Sequence, residues 1–227
     1  MKFAEKDKAL YLRIEQQLGY RTIAKQLRVS KSTLSRWLRD VPLSEERIKE
    51  LRKNAWSRGE ASREIFRRTM RRKREMNEQK IYEIQLKKFK KLSDQSLFVA
   101  GLMLYLAEGD KKNYASIGFA NTDPEIISFF IWWLNKFLKI PKYKLKLELH
   151  LYESMDLRQE EKFWEKRLKI NRDQFYKNQV RPLRKSSFSY RESFRHGTCK
   201  VYFYSVQSKS ELMLSIKAFL ATYDRVR

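Results

Sequence analysis

Leu10, Ile14 and Leu18 recur every four positions with Tyr11 beside them, which predicts an amphipathic helix from Lys8 to Leu18 ended at Gly19. A short helix is predicted next, from Arg21 to Leu27, with Ile23, Ala24 and Leu27 turned inward. After the tight turn Arg28-Val29-Ser30, Ser30 is a good N-cap for a third helix, Lys31 to Arg39. That helix buries Leu34, Trp37 and Leu38 and turns Lys31, Ser32, Ser35, Arg36 and Arg39 outward. Beyond Pro42 the pattern becomes polar, and Ser44, Glu45 and Glu46 open a stretch that reads as helical to Leu92 with a break near Gly59.

The C-terminal part is regular. Residues 97–109 form an almost wholly apolar helix that Gly109 is expected to end as a left-handed cap. Ser116 to Ala120 reads as a strand, and Thr122-Asp-Pro-Glu125 as a capping box. The helix behind it buries Ile126, Ile127, Phe130, Leu134, Phe137 and Leu138. Lys144 to Tyr152 alternates strictly, with Leu145, Leu147, Leu149 and Leu151 toward a core and Lys144, Lys146, Glu148, His150 and Tyr152 away from it. A helix from Asp156 to Lys169 follows, then strands from Gln174 to Leu183 and from Cys199 to Val206. A basic, aromatic loop from Arg184 to Thr198 joins them, and Ser208-Lys-Ser-Glu211 caps a last helix to Tyr223.

These elements predict an α+β chain in three parts. Residues 1–42 are an all-α module, 43–95 a basic helical connector, and 96–227 an α/β domain with a mostly antiparallel sheet. With 42% hydrophobic and 14% aromatic residues in 227, the chain holds enough apolar material for a core and is no disordered polycation. Charge adds the strongest constraint: 51 Lys plus Arg against 27 Asp plus Glu leaves a formal +24. Such a surplus repels itself in the folded state and calls for a polyanionic partner; nucleic acid fits best, but ribosomal and membrane-surface proteins share such charge, so the sequence pattern must decide for DNA. The longest apolar run, Leu97 to Ala107, is far short of the roughly 20 residues of a spanning helix. No apolar region follows the charged N-terminus, so the expected address is the cytoplasm, on the nucleoid, without membrane or small-molecule cofactor. One cysteine, Cys199, and two histidines, His150 and His196, leave no disulfide framework and no Cys/His zinc cluster within one chain.

The segment from Thr22 to Leu38 resembles the helix-turn-helix of resolvase-type recombinases and many bacterial regulators, with Arg28 where that family usually has glycine in the turn. The resemblance implies that the third helix enters the major groove. Arg36 and Lys31 would reach guanine edges there, with Ser32, Ser35 and Arg39 on phosphates or bases. In the connector, Arg67, Arg68, Arg71, Arg72, Lys73 and Arg74 put cations on one helical face and around it, a pattern suited to phosphates or to a solvated linker. Ile81, Ile84, Leu86 and Phe89 are too sparse for a coiled-coil seam.

The apolar helix delivers Glu108 and Asp110 at its C-terminal tip, where the helix dipole disfavours anions, so a compensating cation is required, either a basic side chain or a metal. Leu104-Tyr-Leu-Ala-Glu-Gly109 resembles the second half of the LAGLIDADG homing-endonuclease motif. The segments Phe119 to Ile127 and Val201 to Leu212 are similar to strand-to-helix junctions of that fold. At the start of the motif, where the family has Leu-Ala-Gly, this chain has Gly101-Leu-Met103 in the gapless alignment, or Val99-Ala-Gly101 with two residues inserted.

The resemblance implies a saddle-shaped sheet over DNA and Glu108 as the acid that holds Mg²⁺ beside the scissile phosphate, with Asp110 as a further metal ligand. Because one motif supplies one such acid, it also implies a homodimer that cuts both strands. Lys144, Lys146, His150 and Tyr152 on the polar strand face, with Arg184, Lys185, Tyr190, Arg191 and Arg195 of the loop, would then hold the DNA. WhiA-type regulators resemble the same plan with the two domains in the opposite order, which keeps a non-cleaving transcription regulator open. A transposase or recombinase subunit is the third reading, although Asp94, Glu108 and Asp123 make no persuasive catalytic constellation.

Overall fold

The computed structural model describes residues 3–53, 58–153, 155–182 and 196–223. It is mixed α+β and falls into two compact units, Met1–Lys91 and Leu92–Arg227.

In the first unit, α1 (Phe3–Ile14), α2 (Tyr20–Leu27) and α3 (Lys31–Trp37) close around Ala9, Leu12, Tyr20, Ile23, Leu34 and Leu38. The buried stripe of α1 is rotated from the predicted one. Ala9, Leu12 and Arg13 point inward, while Tyr11 and Ile14 are half exposed or more. The helix also stops earlier than Gly19: its chain turns at Gln17 (φ 49°), and Gly19 is the extended residue that precedes α2. Arg28 ends α2 in the left-handed conformation (φ 53°, ψ 39°) that glycine adopts most readily, so the turn is made here by an arginine. Ser30 caps α3 as expected, its Oγ accepting from Thr33 N at 3.2 Å.

The connector is two helices, α4 (Glu45–Lys53) and α5 (Arg58–Phe89). They share a small core of Leu43, Ile48 and Ala61. A buried ion pair joins α5 to α1: Arg13 Nη2 donates to Glu64 Oε2 at 2.7 Å, with the two side chains 1% and 3% exposed. The same guanidinium donates from Nε to Val41 O at 2.9 Å and from Nη1 to Leu18 O at 3.0 Å. The trihelix and the connector are therefore one body, and the expected division near residue 42 is crossed by the Arg13–Glu64 pair.

The second unit runs α6 (Asp94–Glu108), β1 (Ser116–Asn121), α7 (Pro124–Leu138), β2 (Lys146–Tyr152), α8 (Leu157–Leu168), β3 (Gln179–Arg181), β4 (Thr198–Tyr204) and α9 (Val206–Tyr223). The sheet order is β1-β4-β2-β3, with β4 antiparallel to β1 and β2, and β3 parallel to β2. Leu145, Leu147, Leu149 and Leu151 lie in the core with Ile117, Phe119 and Val201, against Phe130, Trp133 and Leu134 of α7, Trp164 of α8 and Leu212 of α9. The rings of Phe119 and Phe130 stack at 4.2 Å, and α6 comes so close to α7 that a Cβ at Gly101 would sit 2.1 Å from Trp133 Nε1. That position accepts only glycine without a shift of the indole.

Several predicted ends differ. Asp123, not Thr122, caps α7, its Oδ1 accepting from Glu125 N at 2.8 Å, because Pro124 is preset for the first helical position. The strand expected from Gln174 is shortened to Gln179–Arg181. Gln174 instead closes a 3₁₀ turn and buries its amide on the carbonyls of Lys142 and Leu145, both at 2.9 Å. Lys144 ends a second 3₁₀ turn, so β2 starts at Lys146. Helix α9 begins at Val206, with Ser205 Oγ accepting from Ser208 N, three residues before the expected cap.

Candidate functional site

Leu34 and Leu38 are wholly buried, and this anchors α3 with its other side in solvent. Lys31, Ser32, Ser35, Arg36 and Arg39 are all exposed, as their spacing predicts. Ser32 Oγ lies 2.8 Å from Ser30 Oγ within the N-terminal cap. The side chains of Lys31 and Arg36 make no hydrogen bond or ion pair with another described residue, so both cations face water.

The arginines of α5 divide into two groups that sequence spacing does not separate. Arg67 donates to Glu64 Oε1 at 2.7 Å and lies 4.2 Å above the Tyr20 ring. Arg68 reaches Glu45 of α4, Arg71 donates to the carbonyl of Arg39 at 2.7 Å, and Arg74 pairs with Asp40 at 2.7 Å. Arg67 thus packs α5 on Tyr20 of α2, Arg68 ties it to α4, and Arg71 and Arg74 tie it to the turn that follows α3. Arg72 and Lys73 are exposed. Two clefts run along this part of the unit. One of about 440 Å³ is lined by Tyr20, Arg21, Lys31, Ser35, Glu60, Arg63 and Arg67. The other, about 320 Å³, shares Tyr20, Ser35 and Arg67 and adds Arg39, Phe66, Met70, Arg71 and Arg74.

In the second unit, α6 ends without the left-handed glycine expected. Gly109 is extended (φ −74°, ψ 153°) and pairs with Phe119, and its missing side chain is explained by closeness, since a Cβ would meet Tyr105 at 2.5 Å. The unfavourable C-terminal dipole is answered by lysines: Lys111 Nζ donates to Leu106 O at 2.9 Å, and buried Lys209 donates to the carbonyl of Asp110 and to Tyr105 Oη at 2.6 Å. Burial lowers the Lys209 pKa and pushes that of Tyr105 up to about 12, so the phenol stays protonated at neutral pH and donates to Asp110 O.

The two acids of this tip have different surroundings. Glu108 is exposed and makes no hydrogen bond or ion pair with another described residue. Asp110 is partly buried, its Oδ1 accepting from Lys112 N at 3.0 Å and Asn113 N at 3.3 Å, with Lys200 Nζ 4.0 Å from Oδ2. Burial opposes its ionisation, but those amides, Lys200 and Lys209 outweigh it and hold the carboxyl below its ordinary 3.8. Among the described residues no group of three His, Cys, Asp or Glu side chains converges as a metal cage. Glu108 is the carboxylate with open coordination.

The polar sheet face carries Lys146, Glu148, His150 and Tyr152 from β2 beside Thr198, Lys200, Tyr202 and Tyr204 from β4. Glu148 is its centre: Tyr202 Oη donates to it at 2.8 Å, Gln179 Nε2 at 2.8 Å, and His150 Nε2 lies 3.1 Å away. Those bonds overcome desolvation and lower its pKa from 4.5, while burial and Glu148 together raise that of Tyr202. Lys146 Nζ reaches Asp173 O at 3.2 Å, and Lys200 stands over the Tyr202 ring at 4.6 Å. Glu148, Lys200 and Tyr202 were not picked out from sequence. The alternation signalled that Glu148 faces outward, but its partners come from other strands. Arg184, Lys185, Tyr190, Arg191 and Arg195 lie outside the described residues.

A pH dependence follows. Asp110 and Glu148 titrate lower when folded than unfolded, so their contribution is complete above about pH 4.5 and is lost as pH falls through their folded values. Lys209 has the opposite sense: its folded pKa is below 10.5, so its burial penalty is relieved as pH rises toward 10.5. Thermal unfolding followed by tryptophan fluorescence is expected to show a falling midpoint below pH 4.5, shallower in Glu148→Gln. An identical acid limb in that variant would remove Glu148 from the account.

Compared with known proteins, the chain matches no family model, no curated protein and no solved structure. No described helix is long and apolar enough to cross a membrane.

Proposed function

We propose that this chain is a sequence-specific double-stranded-DNA-binding protein. In this reading α2 and α3 form a helix-turn-helix whose second helix enters the major groove, and the C-terminal unit is a LAGLIDADG-like endonuclease domain. The observation that carries the DNA reading is the outward face of α3, which ends at Trp37 and not at the expected Arg39: Lys31, Ser32, Ser35 and Arg36 lie in solvent on the helix and Arg39 in the turn after it, anchored by Leu34 and the C-cap Leu38, in a chain of formal charge +24. Arg36 is assigned to a guanine edge, a contact worth about 1–3 kcal/mol of discrimination. Site selection from a random duplex library tests this. Wild type is expected to return a consensus and Arg36→Ala a consensus relaxed at one position per half-site, whereas an unchanged consensus would remove Arg36 from base reading.

The nuclease reading rests on Glu108, an exposed acid with open coordination at the tip of an apolar helix. Glu108 fits a divalent cation that keeps most of its waters and shares a phosphate oxygen. Asp110 does not fit, because both its oxygens already face backbone N–H groups or Lys200. When bound, Mg²⁺ would polarise the phosphoryl oxygen, and Glu108 would hold it beside the phosphate. Two-strand cutting requires a homodimer. Leu97, Val99, Met103 and Leu104 of α6 are only half buried, and Ala100 and Ala107 are exposed, which leaves an apolar face for a second copy. The engagement of Asp110 favours a second reading, a transcription regulator whose endonuclease-like unit holds DNA without cutting.

A further inference from the structure

The clefts along α3 and α5 adjoin in the first unit, both lined by Tyr20, Ser35 and Arg67, and side by side they make a cationic trough. Arg21, Lys31, Arg63 and Arg67 line the larger cleft against a single acid, Glu60. Arg67 is held by Glu64 and by the Tyr20 ring. Arg21, Lys31 and Arg63 make no ion pair with another described residue, so their charges converge on one concavity whose lining acid, Glu60, is bonded to none of them and offsets only part of the charge. Such convergence raises the local concentration of anions and is relieved by one. The second cleft is lined by Arg39, Arg71 and Arg74, and the Nε of half-buried Arg71 is buried there without a partner.

The geometry points to this trough as a track for the DNA sugar-phosphate backbone, with α5 as a rail beside the reading helix. The inference rests on the DNA-binding reading of α3 and deepens it. Lys31 and Ser35 belong both to the exposed face of α3 and to the wall of the trough, so a strand bordering the groove that α3 enters would run along α5. Arg21 and Arg63 contact phosphates in this arrangement and no base, while Arg67, Arg71 and Arg74 tie α5 to Tyr20 of α2 and to the turn after α3. Duplex DNA is the occupant, because a phosphate track next to a major-groove helix requires phosphates on both sides of that groove.

The test is the salt dependence of binding by the full-length Arg21→Ala/Arg63→Ala variant. Two duplexes are used, one carrying the selected consensus and one scrambled, with a single-stranded RNA of equal length alongside. Neither arginine is in an ion pair among the described residues, and a thermal midpoint equal to wild type checks that the fold is kept. Each lost phosphate contact lowers the slope of log K against log salt by about 0.9, so the double variant is expected to lose about 1.8. Both duplexes should weaken by the same factor and their preference ratio should stay unchanged. An unchanged slope would overturn the track, as would weakening confined to the consensus duplex or to the RNA. If wild type showed no preference between the duplexes, the base-reading role of α3 would fail, yet the slope on the scrambled duplex would still decide the trough.

Discussion

Glu64→Ala is expected to destabilise the 1–91 unit by about 3–5 kcal/mol, the range for removing one partner of a buried charge pair. Its carboxylate accepts from Arg13 Nη2 and Arg67 Nη1, both at 2.7 Å, and is 3% exposed. Without it the Arg13 guanidinium keeps the carbonyls of Val41 and Leu18 and the face of the Tyr20 ring at 4.9 Å, none of which cancels its charge. The loss should be read by amide hydrogen exchange in residues 3–53 during a denaturant titration. Glu64→Leu combined with Arg13→Met should recover much of it, because an apolar pair replaces a desolvated ionic one. A single substitution costing under about 1 kcal/mol would show that α5 is held to the trihelix by other means.

On the nuclease reading, Glu108→Gln is expected to abolish cutting while leaving binding intact. The amide keeps the size of the side chain but removes the negative charge that holds the cation, a loss of several kcal/mol at the transition state or on the order of a thousandfold in rate. Because Glu108 is exposed and bonded to no other described residue, the fold should not change, and a wild-type thermal midpoint checks this. The assay incubates wild type and variant with a duplex library and Mg²⁺ and follows both binding and strand scission. Binding without scission in both proteins would eliminate the nuclease reading and leave the non-cleaving regulator.

How much of this was legible in the sequence depends on the distance over which each feature is set. The alternation of Leu145, Leu147, Leu149 and Leu151, the cap at Ser30 and the helix opened by Asp156 are local, and the structure places them close to expectation. Local patterns fail where tertiary contacts decide. The face of α1 is set by Arg13, a charged residue buried only because Glu64 lies 51 positions along the chain. The arginines of α5 look alike in sequence, yet those that turn toward Glu45, Asp40 and the carbonyl of Arg39 have partners 23 to 34 residues away. Lys209 shows the same limit at the acidic tip. Sequence demanded a compensating cation beside Glu108 and Asp110 but could not indicate a buried lysine 99 residues from Asp110. Gly109 is a milder case, in which the residue type was informative and the cause was close packing on Tyr105 instead of backbone handedness.

The central claim is that α3 reads DNA sequence. It is tested most directly by binding-site selection with the full chain from a random duplex library, followed by competition between the selected duplex and its scrambled form at about 0.15 M salt, where charge alone no longer dominates. The account predicts a reproducible consensus bound at least a hundredfold more tightly than the scrambled duplex, on the order of 3 kcal/mol. Equal affinity for the two duplexes, with no enriched sequence, would contradict it.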